Sequence, residues 1–162
     1  MEIRVRRFSV TSSKSFESVI AAIDAAVGHP DMSGFSTAMD AAPTWAPAEA
    51  IIQRMMGSSG FMEFVRFDIG AVLRKESGQA GPKNVRMVIG NPLVMKEMAK
   101  HVPDTGSYAP VSVLIDERPD GVHLSYDTMA SLLAPYGNAK ALEVARDLDS
   151  KVEKLLTEAA HS

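Results

Sequence analysis

Histidines are the first residues to consider for chemistry, because imidazole can bind a metal, ligate haem iron or move a proton near neutral pH. The chain has four of them, at positions 29, 101, 123 and 161. None is followed by a histidine two or four residues later or by a glutamate three residues later, as short metal-binding motifs require. The chain also has no cysteine. The spacing therefore predicts no metal site, no disulfide and no thiolate nucleophile.

Hydrolysis by a serine nucleophile is the next chemistry to test. Such a serine needs a base within hydrogen-bond reach and a third group that orients the base. Ser58 and Ser59 lie between two glycines, but Gly57–Gly60 does not have the GxSxG pattern of a nucleophile elbow, and it predicts a flexible turn. Because no set of acid, base and nucleophile can be named, we expect binding rather than catalysis.

His101 is the candidate ligand for haem iron. It ends a helical pattern that also carries Met95 and Met98, and both histidine and methionine can ligate haem. Without cysteine there is no CxxCH motif, so this haem would be bound non-covalently. Two alternatives need no cofactor. The negative end of a helix favours a protonated histidine, and methionines commonly fill irregular cores.

Two stretches could hold an anion. Gly90-Asn91-Pro92 follows a strand pattern and opens a helix, where free backbone N–H groups point outwards. It lacks the several glycines of a phosphate-binding loop, and a structural turn is the alternative. Arg4, Arg6 and Arg7 form a basic cluster near the first strand, which is either a solvated strand end or an anion site.

Trp45, the only tryptophan, lies in a segment that breaks the regular pattern, residues 29–60. Proline and glycine recur in this segment, and its pattern predicts one short helix over about 48–56. Connections of this length commonly act as lids or covers. Trp45 therefore either plugs the domain or a subunit interface, or it lines a ligand pocket.

Composition places these candidates in an ordinary globular chain. A length of 162 residues is sufficient for one domain with its own core, and we predict a single domain over residues 1–162. The net charge of −3 provides no field to attract nucleic acid or an anionic membrane. The sequence has no apolar run of about 20 residues, the length that spans a bilayer, and its first residues lack the apolar core of a signal peptide. We therefore expect a cytoplasmic protein without a membrane or nucleic-acid partner.

Hydrophobic periodicity predicts the elements that position the candidates. Alternating patterns indicate five strands, near residues 3–11, 61–69, 85–90, 111–116 and 122–126. Helical patterns indicate three longer helices, near residues 16–27, 92–102 and 138–160. Arg118–Gly121 has the proline and glycine of a tight turn and predicts a hairpin. Gly28 is predicted to end the first helix in a left-handed conformation.

These elements predict the α+β class. We expect one two-layer domain, with a mainly antiparallel sheet of four to five strands and helices packed on it. The predicted order is β-α-(inserted loop and short helix)-β-β-α-β-β-α.

A series of short motifs resembles the family named domain of unknown function 302 (DUF302). It runs from Ile89-Gly90-Asn91-Pro92 through Pro110 and Asp120-Gly121 to Ser125-Tyr126-Asp127, and the resemblance covers roughly residues 8–27 and 61–158. It implies a small α+β domain that commonly forms a homodimer and has no established reaction. Some relatives have been associated with haem or other small ligands.

The chain departs from this family pattern in two places. Many members have an Asp-His pair at the end of the second strand, whereas here Asp68 is followed by Ile69. Residues 29–60 are also longer than the usual connection, so we predict that they are an insertion.

We therefore expect a homodimeric small-ligand-binding or accessory module without catalysis. The ligand is expected between the sheet and the helices or under residues 29–60, near Trp45, Asn91, His101 and Tyr126. One alternative is a non-covalent haem or redox protein that uses His101 or a methionine. Another is an interaction protein whose C-terminal helix pairs with a partner, although packing on its own sheet requires the same apolar stripe.

Overall fold

The structure, a computed structural model that describes residues 1–162, contains five strands and seven α-helices. The strands are β1 (Arg7–Ser12), β2 (Met62–Asp68), β3 (Asn84–Gly90), β4 (Val111–Arg118) and β5 (Gly121–Asp127). The helices are α1 (Phe16–Ala26), α2 (Met32–Ala41), α3 (Trp45–Met55), α4 (Ile69–Ser77), α5 (Pro92–Ala99), α6 (Met129–Leu133) and α7 (Ala139–His161). Two 3₁₀ turns, Pro103–Ser107 and Ala134–Tyr136, complete the chain. None of the helices combines the length and the apolar character that crossing a bilayer requires.

The strands form one sheet in the order β1-β5-β4-β3-β2, and every neighbouring pair is antiparallel. The predicted α+β class and strand number are therefore confirmed. The predicted hairpin joins β4 to β5, with Arg118 paired to Gly121. Gly121 has a φ of 138°, which a side chain would strain, and this explains the glycine at the turn.

One face of the sheet carries the core. Successive strand side chains alternate between faces, so Met87, Val113 and Tyr126 lie side by side on neighbouring strands and are all buried. Helices α1, α5 and α7 supply the other half of this core. The buried stripe of α7 consists of Ala141, Ala145, Leu148, Val152, Leu155, Leu156, Ala159 and Ala160. The apolar pattern of α7 was consistent with packing on its own sheet or with pairing to a partner. In the structure this stripe packs on the sheet of its own chain.

The opposite face of the sheet, called the open face below, carries the side chains of the other parity. Arg86 on β3, Ser112 and Leu114 on β4, Ser125 on β5 and Ser9 on β1 belong to it. All five are half-buried or exposed. The open face is therefore where a cavity could form from strand side chains alone.

The segment of residues 29–60 differs from its prediction. It contains two helices instead of one short helix, because α2 precedes α3 and α3 begins at Trp45. Asp31 caps the start of α2, because its Oδ2 accepts a hydrogen bond from the Gly34 N–H at 2.7 Å. It buries no side chain, so it shows no apolar stripe that periodicity could detect. Helices α4 and α6 are also absent from the predicted order of elements.

Two boundaries near the N-terminus also differ from their predictions. Strand β1 begins at Arg7 and not at residue 3, and the Arg6 carbonyl already accepts the N–H of Thr128, outside the sheet. Gly28 does not adopt a positive φ. It lies against α3 instead, where a Cβ would meet the Met55 carbonyl oxygen at 1.8 Å. Glycine is needed at position 28 for close packing of two backbones and not for a left-handed cap.

Candidate functional site

A cavity of about 320 Å³ lies on the open face, at the end of the sheet where β4 begins and β5 ends. This volume is within the range of small-molecule pockets, about 300–1,000 Å³. The polar residues that line this open-face cavity are Arg7, Arg86, Tyr108, Ser112, Ser125 and Asp127. They come from four strands and one loop, so only the folded sheet brings them together.

Arg86 is the central cation of the open-face cavity. Its Nε and Nη2 donate to Ser112 Oγ at 3.0 and 2.7 Å, which are its side-chain hydrogen bonds. The guanidinium carbon lies 5.8 Å from the ring centroid of Phe67, within reach of a cation–π contact. No carboxylate pairs with Arg86, so its positive charge is held by a hydroxyl and an aromatic ring alone.

Arg7 lines the same cavity but is paired. Its Nε and Nη2 donate to the two carboxylate oxygens of Asp127 at 2.6 and 2.9 Å, and these hydrogen bonds raise the pKa of Arg7. The two guanidinium groups and the single carboxylate leave one positive charge in excess in the lining. Of the basic cluster of Arg4, Arg6 and Arg7, only Arg7 lines this cavity. Arg6 pairs with Glu153 on α7.

Tyr108 closes one side of the open-face cavity. Its hydroxyl lies 2.9 Å from the hydroxyl of Tyr136, and one of the two groups donates to the other. This hydrogen bond, together with burial and the nearby charge of Asp104, raises the pKa of Tyr136 to about 12. Tyr136 therefore stays protonated near neutral pH and adds no negative charge beside the cavity.

A second, apolar cavity of about 110 Å³ lies at the same end of the sheet, between the sheet and α5. Its lining is almost entirely apolar and includes Phe64, Gly90, Met95 and Pro110. It shares one lining residue, Val111, with the open-face cavity. This apolar cavity is the space in the structure that lies between sheet and helices, where the sequence predicted a ligand.

Asn91 lines the apolar cavity and caps α5. Its Oδ1 accepts the Leu93 N–H at 2.9 Å, and its Nδ2 donates to the Gly60 carbonyl at 3.1 Å. Pro92 then occupies the first turn, where a missing N–H does no harm. The asparagine thus fixes the start of α5 and ties it to the loop before β2.

Tyr126 lies on the core face, and part of it lines the open-face cavity. Its hydroxyl donates to Asp149 Oδ1 at 2.6 Å, and the Met129 and Ala130 N–H groups donate to the same carboxylate at 2.7 and 3.0 Å. Burial and the charge of Asp149 raise the pKa of Tyr126. This network joins β5, α6 and α7, and its hydrogen-bonding groups are all used within the fold.

Trp45 and His101 lie outside both cavities. Trp45 is the first residue of α3 and is 49% exposed, with Lys96 Nζ 5.3 Å above its ring. His101 follows α5 and donates its backbone N–H to the Met98 carbonyl at 3.0 Å. The structure therefore does not bring the four residues of the predicted site into one cavity, and their role in ligand binding stays a prediction.

Asp24, His29 and Glu63 form a polar cluster that their sequence spacing does not reveal, with ligand-type atoms within 4.8 Å of one another. Arg66 lies among them, and its Nη2 donates to Asp24 Oδ1 at 2.5 Å and to Glu63 Oε2 at 2.6 Å. Partial burial lowers the pKa of Arg66, but these hydrogen bonds outweigh it and the pKa is raised. A cation of the protein itself thus holds both carboxylates, and the cluster is an ion-pair network.

Comparison with known families decides the family. The family model described as "Domain of unknown function DUF302" matches residues 40–159. The chain belongs to the DUF302 family. The match begins inside the segment of residues 29–60, at the end of α2, and covers α3. No protein with a curated description matches the sequence of this DUF302 chain.

A solved structure supports the fold of this DUF302 protein. The crystal structure of an uncharacterised conserved DUF302 protein from Bacillus stearothermophilus has a TM-score of 0.67 and 11% sequence identity. The similarity covers 94% of this chain and 97% of that chain. At this identity the comparison shows a common fold.

The DUF302 motifs have structural roles in this chain. Gly90 faces Pro110, whose Cβ would lie 3.1 Å from an added Cβ. Asn91 caps α5, Gly121 forms the hairpin turn, and Tyr126 anchors Asp149. The residues that identify the family therefore stabilise the fold, and they do not by themselves indicate a reaction.

Sequence reasoning missed Arg86 and Ser112 as a pair. The alternation of β3 did place Arg86 on the face opposite to Met87 and Ile89. A charged residue inside a predicted strand was the available signal. Its partner could not be named, because the register that brings Ser112 beside Val88 depends on pairing between strands.

Proposed function

We propose that this DUF302 protein is a homodimeric, non-catalytic module that binds a small organic anion in the open-face cavity. The single observation that supports this function is Arg86, whose guanidinium lines a cavity of ligand size without a carboxylate partner. A guanidinium group can donate two parallel hydrogen bonds to a carboxylate or phosphate. Arg86 is already oriented by Ser112, so it needs little reordering to bind such a group.

The rest of the lining agrees with an anionic ligand. Asp127 would repel an anion, but its two oxygens are occupied by Arg7. The hydroxyl groups of Ser112 and Ser125 can add neutral hydrogen bonds. We propose binding rather than turnover because no imidazole lies among the lining residues to activate either serine.

The test is the affinity for acetate, the smallest organic carboxylate, measured by NMR titration of the protein. We expect saturable binding to the natural chain and at least a tenfold loss in Arg86→Ala, since a charge-assisted contact of about 1.5–3 kcal/mol is removed. Arg146→Ala is the matched control, because Arg146 is an exposed arginine on α7, away from the cavity. Equal weakening in both variants, or no binding of acetate or of any longer monocarboxylate, would contradict the proposed function.

We propose that the dimer forms through β2 and α4. Five of the eight exposed large hydrophobic side chains fall between residues 65 and 73, namely Val65, Phe67, Ile69, Val72 and Leu73. Strand β2 is also an edge strand of the sheet. An apolar patch beside an unpaired strand edge is a surface that a second copy can cover by symmetric packing.

Haem binding receives no such support from the geometry. The cavity beside Met95 and Met98 has a volume of about 110 Å³, below the range of about 300–1,000 Å³ for pockets that hold molecules of drug size. Met98 is fully buried in the core, and His101 does not line this cavity. Haem binding therefore remains a prediction from the sequence and from the family resemblance.

A further inference from the structure

The two cavities at the end of the sheet are neighbours along one strand. Ser112 lines the open-face cavity, Pro110 lines the apolar cavity, and Val111 between them lines both. On the adjacent strand, Ser112 is paired with Val88, and Gly90 lies two residues further towards the apolar cavity. By the alternation of β3, Gly90 is on the same face of the sheet as Arg86, so one wall of the apolar cavity belongs to the open face. At about 3.3 Å per residue, the Arg86–Ser112 contact and the apolar cavity are about 7 Å apart along the strands.

The chemistry of the two cavities differs and is complementary. One offers the cation of Arg86 with hydroxyl groups around it. The other offers carbon atoms of Phe64, Met95 and Pro110, with hardly any exposed polar surface. A molecule with an anionic head and a short apolar tail fits this arrangement, with its head beside Arg86 and its tail in the apolar cavity.

We propose that one amphipathic ligand, a short-chain aliphatic monocarboxylate, occupies both cavities. Its carboxylate binds Arg86, and its hydrocarbon chain passes Val111 into the apolar cavity beside Gly90. This inference rests on the proposed function, since it uses the same cation. It adds the class of ligand and a second set of contacts, those in the apolar cavity. The contacts in the apolar cavity can be disproved while anion binding by Arg86 still holds.

Gly90 provides the variant that separates the two cavities. A Cβ at position 90 would lie 3.1 Å from Pro110 Cβ and 3.4 Å from a ring carbon of Phe64. The methyl group of Gly90→Ala therefore narrows the apolar cavity and leaves Arg86 unchanged. Gly106→Ala is the matched control, because a Cβ at position 106 meets no atom within 4 Å.

The experiment compares the affinities of acetate, butanoate and hexanoate for the natural chain and for Arg86→Ala, Gly90→Ala and Gly106→Ala. For the natural chain we expect affinity to rise by up to about fourfold for each added methylene that is buried. Gly90→Ala should keep the affinity for acetate and lose the increase with chain length, whereas Gly106→Ala should keep both. Arg86→Ala should weaken all three ligands. Met95→Phe, which fills the same apolar cavity from α5, should repeat the Gly90→Ala result and serves if that variant does not fold.

The outcomes separate this inference from the proposed function. Binding that depends on Arg86 but not on chain length would overturn the inference and leave the proposed function intact. Binding that increases with chain length equally in Gly90→Ala and Met95→Phe would also overturn the inference, because the tail would then lie elsewhere. Failure of all three carboxylates to bind through Arg86 would overturn both.

Discussion

At the scale of single residues, two hydrogen-bond networks, one buried and one exposed, have different purposes. Tyr126 and Asp149 use their polar atoms on each other and on backbone N–H groups of α6. Arg86 has a hydroxyl partner and an aromatic neighbour, and its charge is not neutralised. A network whose groups are all satisfied stabilises the fold, whereas an unneutralised cation in a cavity is available to a ligand.

The Tyr126 network predicts a pH-dependent stability. Because the folded state raises the pKa of Tyr126, the folded chain holds this proton more tightly than the unfolded chain does. Its contribution to stability is complete below the ordinary value of 10.0 and is lost as pH rises above it towards the folded pKa.

Tyr126→Phe measures this contribution. It removes the donor to Asp149 and should cost about 1–3 kcal/mol near neutral pH. Urea unfolding of both proteins at about pH 8 and about pH 11 should show a smaller difference at the higher pH. Tyr136 is present in both proteins, so its titration cancels in the comparison. A difference that does not change with pH would contradict this account of Tyr126.

At the scale of elements, the start of α5 is where strand, loop and helix are joined. Asn91 does this with both ends of its amide, since it accepts from Leu93 and donates to Gly60.

Asn91→Ala should therefore cost about 0.5–2 kcal/mol for the lost cap, together with the lost link to Gly60. Asn91→Asp keeps the acceptor but lacks the donor, so its stability should lie between the two. Thermal unfolding of the three proteins provides the comparison, and an Asp variant as stable as the natural chain would show that the Gly60 bond contributes nothing.

Local patterns predicted the elements that have a buried face. The alternation in β4 and β5 and the stripe of α7 each appear in the sequence because one side of the element is in the core. Helix α2 buries nothing and was missed. The apolar residues Val72 and Leu73 of α4 are exposed, so α4 has no core-facing stripe, and this helix is absent from the predicted order of elements.

The cavities could not be predicted in the same way. Their lining residues come from distant parts of the chain, such as Arg7, Arg86 and Ser125, and only strand register places these residues together. The predicted site residues were selected for their chemical type. Of these, Asn91 and Tyr126 line different cavities, and both are also hydrogen-bonded within the fold.

At the scale of the whole molecule, the proposed dimer explains the apolar patch on β2 and α4. Val72 is 71% exposed and lies on α4, outside the open-face cavity, so Val72→Glu tests the dimer without changing the ligand contacts. We expect light scattering to give the mass of two chains for the natural protein and of one chain for Val72→Glu. Val5→Glu is the matched control, since Val5 is also exposed but lies outside the patch. A monomeric natural chain, or loss of the dimer in both variants, would contradict an interface on β2 and α4.

The central claim concerns the whole molecule as a binding module with Arg86 as its anion contact. The most direct measurement follows the Nε–H signals of the arginine side chains by NMR while hexanoate is added. The account predicts a saturable shift of the Arg86 signal, with little change at Arg54 and Arg146, which lie outside both cavities. An Arg86 signal that stays in place while hexanoate saturates the protein, or equal shifts of all arginines without saturation, would contradict it.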